Sequence, residues 1–247
     1  MPRFFVEKSN IFSQDINITG EDVNHIKKVL RLNCGDEVTV CDGEGTDYDV
    51  EIESFEPGCI RARILSTARN TSEPGTSIIL FQGIPKSDKM DFIIQKSVEL
   101  GVNKIVPVMT DRTIVRIENT KDAQNKASRW QRISMEAAKQ SNRGIIPKID
   151  MPVTYDNAVK LLREMQLGII PYENETRNSL KKCLSKSKYK QIGIMIGPEG
   201  GFTENEIVKA VTAGIQPVTL GPRILRTETA GIAVLSILMY ELGDMGN

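Results

Sequence analysis

Arg226 and Glu228 stand two residues apart in Leu220-Gly221-Pro222-Arg223-Ile224-Leu225-Arg226-Thr227-Glu228-Thr229-Ala230, and Glu199 stands within Ile196-Gly197-Pro198-Glu199-Gly200-Gly201-Phe202. Each stretch follows a short apolar run that reads as a buried strand, and each precedes a helical pattern. Glycines at such a junction permit positive φ and let a ligand approach the backbone closely. The helix expected from Thr203 would turn its first amides toward an anion. One glycine-rich loop alone reads equally as a tight turn, and Glu228 at a helix start reads equally as a cap that complements the helix dipole. Two such loops at the carboxyl ends of neighbouring strands point to a ligand site. Ordinary catalytic side chains are sparse in both, so the chemistry belongs to a bound small molecule.

Several chemistries are excluded by residue type and spacing. Neither loop has the G-x-G-x-x-G or G-x-x-x-x-G-K-[ST] spacing, which disfavours a Rossmann dinucleotide site and a Walker-type site. Gly43 and Gly45 do not restore the first, because a strand follows them. His25 is the only histidine, so multi-histidine metal centres are impossible and a Ser-His-Asp triad could use no other imidazole. Cys34, Cys41, Cys59 and Cys183 form no C-x-x-C pair and read as reduced thiols. No metal is expected.

The 32 basic and 32 acidic residues cancel, so any nucleic acid must be met by a local patch. Such a patch exists between Thr110 and Lys148. Nine cations (Arg112, Arg116, Lys121, Lys126, Arg129, Arg132, Lys139, Arg143, Lys148) face four acids (Asp111, Glu118, Asp122, Glu136), a balance of +5. They could contact phosphates or form a solvated helix face. A second run, Lys181, Lys182, Lys186, Lys188 and Lys190, reads as a solvated loop. His25 shares a helix face with Lys28, Val29 and Leu32, where a packing role is the simpler reading.

The elements that must position these residues fall into two blocks. Residues 1 to about 65 read as short strands and one helix. Val38–Cys41, Tyr48–Ile52 and Cys59–Leu65 read as strands, the last two alternating with period two, and Thr19 is placed to cap a helix carrying Val23, Ile26 and Leu30. A small, mostly β domain of compact barrel form is expected. Ser66–Thr76 has the composition of a linker. From Ser77 strands and helices alternate. Strands are expected at Ile78–Phe81, Ile105–Val108, Gly168–Ile170, Ile192–Ile196 and Val218–Leu220. Helices are expected at Lys89–Leu100 with Gly101 at its end, at Ala123–Gln140, from Thr203 with Glu206 in a capping box, and at Glu228–Leu242. This grammar predicts an α/β domain with a mostly parallel sheet covered on both faces. The amino terminus is too short and charged for a signal peptide. The longest apolar stretch, Ala230–Tyr240, is about eleven residues, half of a membrane span, so a cytoplasmic protein is expected.

Several motifs taken together resemble one family. They are Arg3-Phe4-Phe5-Val6, His25 to Arg31 with Gly35-Asp36, Asp42-Gly43-Glu44-Gly45, Lys86-Ser87-Asp88-Lys89-Met90-Asp91, Gln95 to Gly101, Arg129-Trp130 through Ser141, and the two carboxyl-terminal loops. Over essentially its full length the chain resembles the RsmE family, ribosomal RNA uracil-N3 methyltransferases of the SPOUT superfamily. The resemblance implies a PUA-like RNA-binding β-barrel over residues 1–70 and an α/β methyltransferase domain with a trefoil knot over residues 74–247. It implies a homodimer acting on 16S ribosomal RNA in the small subunit. The chain departs from the family pattern at Ser87, where glycine is usual, at Ser141-Asn142, and at Gly231, where a larger residue is common.

The resemblance also implies residue roles. S-adenosyl-L-methionine would be held in a bent form by Pro171, Tyr172, Gly197, Pro198, Glu199, Gly200, Gly201, Leu220, Gly221, Ile224, Leu225, Thr227 and Thr229. Arg226 would stabilise the anion that develops on a uracil losing its N3 proton, with Glu199 or Glu228 orienting it or accepting the proton. Arg3, His25, Arg31, Lys86, Arg112 and Arg143 would grip RNA. Two other readings stay open: an inactive PUA-like RNA binder, and a SPOUT methyltransferase acting on another RNA.

Overall fold

The computed structural model describes residues 1–115, 117–184 and 189–245. Arg116 of the basic stretch and Lys186 and Lys188 of the lysine run lie outside the described residues. The chain divides into two compact units: Met1–Glu73 with Ala138–Ile146, and Pro74–Ala137 with Pro147–Asn247.

The first unit is a five-stranded sheet of β1 (Arg3–Phe5), β2 (Asp15–Thr19), β3 (Glu37–Cys41), β4 (Thr46–Glu56) and β5 (Cys59–Arg69), in the order β1-β3-β4-β5-β2. Only the β1–β3 pair is parallel. Alternate residues point to one face, so Ile16 and Ile18, Val38 and Val40, Val50 and Ile52, and Ile60 and Ala62 form a core with Phe4 and Val6. A short helix α1 (Glu21–Asn24) runs into a π-helical turn, His25–Leu30, which buries Ile26. Its amino-terminal cap is Gly20, at φ 75°, and not Thr19, because Thr19 is still paired with Cys59 in the sheet. The expected linker also begins later. Ser66–Arg69 continue β5 and pair with Thr46–Asp49, and their polar composition reflects exposure at the sheet's end.

Residues 138–146, inside the stretch expected to form the second domain, group with the first. Glu73 explains why. Its carboxylate accepts from Arg143 Nε at 3.2 Å and Nη2 at 2.6 Å, and from the backbone amides of Gly144 and Ile145 at 3.0 Å each. Lys139 pairs with Asp22 at 3.0 Å, and Cys41 Sγ donates to the Gly144 carbonyl at 3.1 Å. Burial pushes the Cys41 thiol up to about 12, so it stays a neutral donor.

The remaining elements are β6 (Ser77–Gly83), α2 (Lys89–Glu99), β7 (Lys104–Met109), α3 (Thr120–Gln140), β8 (Lys148–Ile149), β9 (Val153–Thr154), α4 (Tyr155–Arg163), β10 (Leu167–Pro171), α5 (Leu180–Leu184), β11 (Gln191–Ile196), α6 (Glu204–Thr212), β12 (Gln216–Val218) and α7 (Thr227–Leu242), all in the second unit except the last three residues of α3. The strand order is β12-β10-β11-β6-β7-β8, with β9 also on β7, and every pair is parallel. All carboxyl ends therefore lie along one edge. Both faces are covered. Phe81, Val108 and Met195 pack under Tyr155, Leu162, Ile207 and Ala210 of α4 and α6, while α7 packs on β6, β11 and α2. The strand expected at Val218–Leu220 lies earlier, at Gln216–Val218, and Leu220 belongs to the loop. Among the described residues no helix is long and apolar enough to cross a membrane.

Candidate active site

Three loops leave the carboxyl ends of β10, β11 and β12, and between them lies a cavity of about 790 Å³. That is the size of a small-molecule site. Pro171, Tyr172, Glu173, Glu175 and Thr176 line it from the first loop, Ile196–Phe202 from the second, and Thr219–Thr227 with Ala230 from the third. Lys89, at the start of α2, completes the wall.

Each loop is fastened by bonds its sequence dictates. Glu175 Oε1 accepts the amides of Arg177 and Asn178 at 2.6 and 2.9 Å, and Asn178 in turn donates to Pro217 O at 2.8 Å. The β11 loop turns at Gly201, whose amide donates to Pro198 O at 2.9 Å and whose φ of 67° suits glycine. The capping box then starts α6: Thr203 Oγ1 accepts from the Glu206 amide, and Glu206 Oε2 accepts from the Thr203 amide at 2.8 Å. Arg112 Nη1 donates to Gly200 O at 2.6 Å and braces the loop from outside. The third loop is tied to the second by Thr227, whose hydroxyl donates to Gly197 O at 2.6 Å.

The charges around the cavity are arranged unequally. Lys89 Nζ lies 3.1 Å from Glu199 Oε1 and 3.4 Å from Glu228 Oε2. Glu199 also accepts the Lys86 amide at 3.2 Å. Burial pushes the Glu199 carboxyl up, but its own backbone amide, the Lys89 ammonium and the Lys86 amide outweigh that, and it titrates below the usual carboxylate range. Arg226 lines the cavity, is exposed, and makes no side-chain hydrogen bond or ion pair among the described residues.

The residues expected to hold a cofactor come together with one exception. Pro171, Tyr172, Gly197, Pro198, Glu199, Gly200, Gly201, Leu220, Gly221, Ile224, Leu225 and Thr227 all line the cavity, and Thr229 does not. Because α7 begins at Thr227, residue 229 points outward and Ala230 faces the cavity instead. Of the three side chains expected at the reaction, Arg226 is free to meet a ligand. Glu199 and Glu228 face Lys89 and form no bond to Arg226, and Glu228 is not part of the cavity wall. Lys89, Glu173, Glu175 and Thr176 are wall residues outside the expected set. The strand read at Gly168–Ile170 was the available signal for the last three.

The expected RNA-binding residues differ in availability. His25, Arg31 and Lys86 are exposed, and His25 meets Phe4 edge-on at 6.2 Å. Arg112 is exposed but its Nη1 is committed to Gly200 O. Arg3 forks onto Asp47 at 2.6 and 2.8 Å. Arg143 is 2% exposed and bound to Glu73, so it holds the 138–146 segment and does not present a guanidinium to a ligand.

The RNA methyltransferase domain family matches residues 72–239, and the RNA methyltransferase PUA domain family matches residues 18–64. The ribosomal RNA small subunit methyltransferase E of Mesomycoplasma hyopneumoniae is 35% identical, over 96% of this chain and 98% of its own. That of Bacillus subtilis is 30% identical, over 98% and 97%. The crystal structure of the Neisseria gonorrhoeae protein of the same name, bound to S-adenosyl methionine, superposes with a TM-score of 0.88 at 35% identity over 99% of each chain. The chain belongs to the ribosomal RNA small subunit methyltransferase E family.

Proposed function

We propose that this protein transfers a methyl group from S-adenosyl-L-methionine to N3 of a uridine in 16S ribosomal RNA. The observation that carries the reading is the cavity: three carboxyl-end loops wall it in a chain that belongs to this family. The residues present fit that ligand. Backbone amides and carbonyls of the Gly197–Gly201 and Leu220–Thr227 segments suit an adenine edge and ribose hydroxyls. Glu173 and Glu175 are carboxylates suited to an ammonium. Gly221 has open space where a Cβ would stand, whereas at Gly197, Gly200 and Gly201 a Cβ would crowd Phe202, Arg112 and Glu173, so glycine there keeps the loop's own packing.

When bound, the cofactor supplies an electrophilic methyl on sulfur, and the remaining steps fall to this chain. The new bond is N3–CH3, the bond broken is S–CH3, and the N3 proton passes to water. Arg226, unpaired and on the cavity wall, donates to a uracil carbonyl oxygen and stabilises the anion as that proton leaves. Glu199, held ionised by Lys89, is a weak base and serves with Glu228 to fix Lys89 beside the cavity. Pairing in a duplex seals N3, so the target uridine is unpaired or splayed out. His25, Arg31 and Lys86 supply exposed cationic or donor groups for RNA, the first two from the PUA-like unit. The family resemblance further supports a homodimer, a trefoil-knotted chain around the cofactor loops, cytoplasmic action and the small subunit as the setting. Isothermal titration with S-adenosyl-L-methionine tests the site. Failure to bind would remove the reading.

A further inference from the structure

Gln82, at the carboxyl end of β6, has no solvent exposure. Its Nε2 donates to Gly83 O at 2.9 Å and to Thr227 Oγ1 at 2.9 Å. Thr227 Oγ1 spends its one proton on Gly197 O, at 2.6 Å, so toward Gln82 it can only accept. That fixes the amide: nitrogen faces Thr227, and Oε1 points away with no partner among the described residues. An unmade acceptor in a fully buried site is a cost to the fold, and each such group in a native structure calls for a reason. Methionine would fill similar space without that cost. The position thus keeps a group that packing alone does not favour.

The reason lies in the amide's other half. The chain from Gln82 Nε2 through Thr227 Oγ1 to the Gly197 carbonyl joins the end of β6 to both glycine-rich loops of the cavity. Gly83 lets the same strand end come close: a Cβ there would sit 2.7 Å from Pro198 N and Cδ. Gln82 itself is not part of the cavity wall.

We propose that Gln82 is a positioning residue for the cofactor cavity: acting through Thr227, it sets the spacing between the Gly197–Gly201 and Leu220–Thr227 segments without touching the ligand. The inference rests on reading the cavity as the S-adenosyl-L-methionine site, and it assigns part of the ligand's fit to Gln82, a buried residue outside the cavity wall.

The test is calorimetric titration of the full-length protein with S-adenosyl-L-methionine, with thermal unfolding of every variant in parallel. Gln82→Met and Gln82→Leu both remove the donor to Thr227 without altering a wall residue. The expected result is Kd about tenfold weaker for both, and melting within about 3 °C of wild type for Gln82→Met, whose lost bonds are offset by the lost orphan acceptor. In turnover, KM for the cofactor rises while kcat at saturation holds. Wild-type affinity in a folded Gln82→Met overturns the proposal. If Gln82→Met does not fold, Gln82→Leu decides: wild-type affinity overturns the proposal, and binding about tenfold weaker supports it. A wild-type protein that takes up no cofactor overturns the underlying site reading instead, and the relay's role with it.

Discussion

The ammonium of Lys89 lies 3.1 Å from Glu199 Oε1, and it also stands 3.4 Å from Glu228 Oε2. One cation at the start of α2 thus faces a carboxylate from the β11 loop and another from the first turn of α7. Among the described residues the pairing leaves Arg226, like Arg223, as a cation of the cavity wall with no side-chain partner.

This pairing predicts a titration. Glu199 is held below the usual carboxylate range, with Lys89 among the groups that hold it there. Lys89→Met removes that pull, so the Glu199 carboxyl should titrate higher, as carboxyl-carbon NMR would detect. A depressed folded-state value contributes stability above the unfolded-state value and loses it as pH falls through the folded one. The variant should therefore be the less stable protein at neutral pH, and the gap should close on acidification. The pair is partly exposed, at 29% and 28%, so the effect is small. Unchanged Glu199 titration would contradict the assignment.

Arg226→Ala should leave cofactor affinity within about threefold and lower kcat by roughly 100- to 1000-fold, the usual effect of removing one donor to a developing anion. Single-turnover methylation at saturating cofactor measures it. A full rate with bound cofactor would show that Arg226 does not stabilise the uracil anion.

Gly231 sits inside α7, where a Cβ would meet Gln82 Oε1 at 3.6 Å and Ile196 Cγ1 at 3.8 Å, ordinary contacts. Helix propensity then acts unopposed. Gly231→Ala should stabilise the protein by about 0.5–1 kcal/mol in urea denaturation. Destabilisation would mean that the space beside the Gln82 acceptor is needed.

Arg143→Met strands the Glu73 carboxylate, 15% exposed, with backbone amides alone. It should cost about 3–5 kcal/mol, and adding Glu73→Gln should recover part of the loss. If Arg143 mainly contacts RNA, stability will hold and only RNA affinity will fall.

Much of this site was legible because it is local. The apolar runs at β6, β10 and β11, the Thr203–Glu206 capping box and the glycines of both loops announce strand ends, helix starts and a backbone-lined cavity without knowledge of the rest of the chain. What stayed hidden depends on partners distant in sequence. Arg3 and Arg143 read as cations for RNA until Asp47 and Glu73 were seen beside them. Lys89 was legible as a helix residue, but not as the partner of Glu199. Helix α4 has a local signature of its own, since Tyr155, Ala158, Val159 and Leu162 follow helical spacing. The grouping of residues 138–146 with the first unit rests on Glu73 and Asp22 and has no local signature. Thr229 missed the cavity by one position because α7 starts at Thr227, a boundary that propensity does not resolve.

Methyl transfer to uridine N3 is best measured by incubating the purified protein with isotopically labelled S-adenosyl-L-methionine and small ribosomal subunits from a strain lacking the enzyme, then mapping label in 16S RNA by mass spectrometry. One labelled position is expected, 3-methyluridine, and its formation should fall roughly 100- to 1000-fold with Arg226→Ala. Cofactor binding without any transfer, or label on another base, on a ribose or on a different RNA, would contradict it.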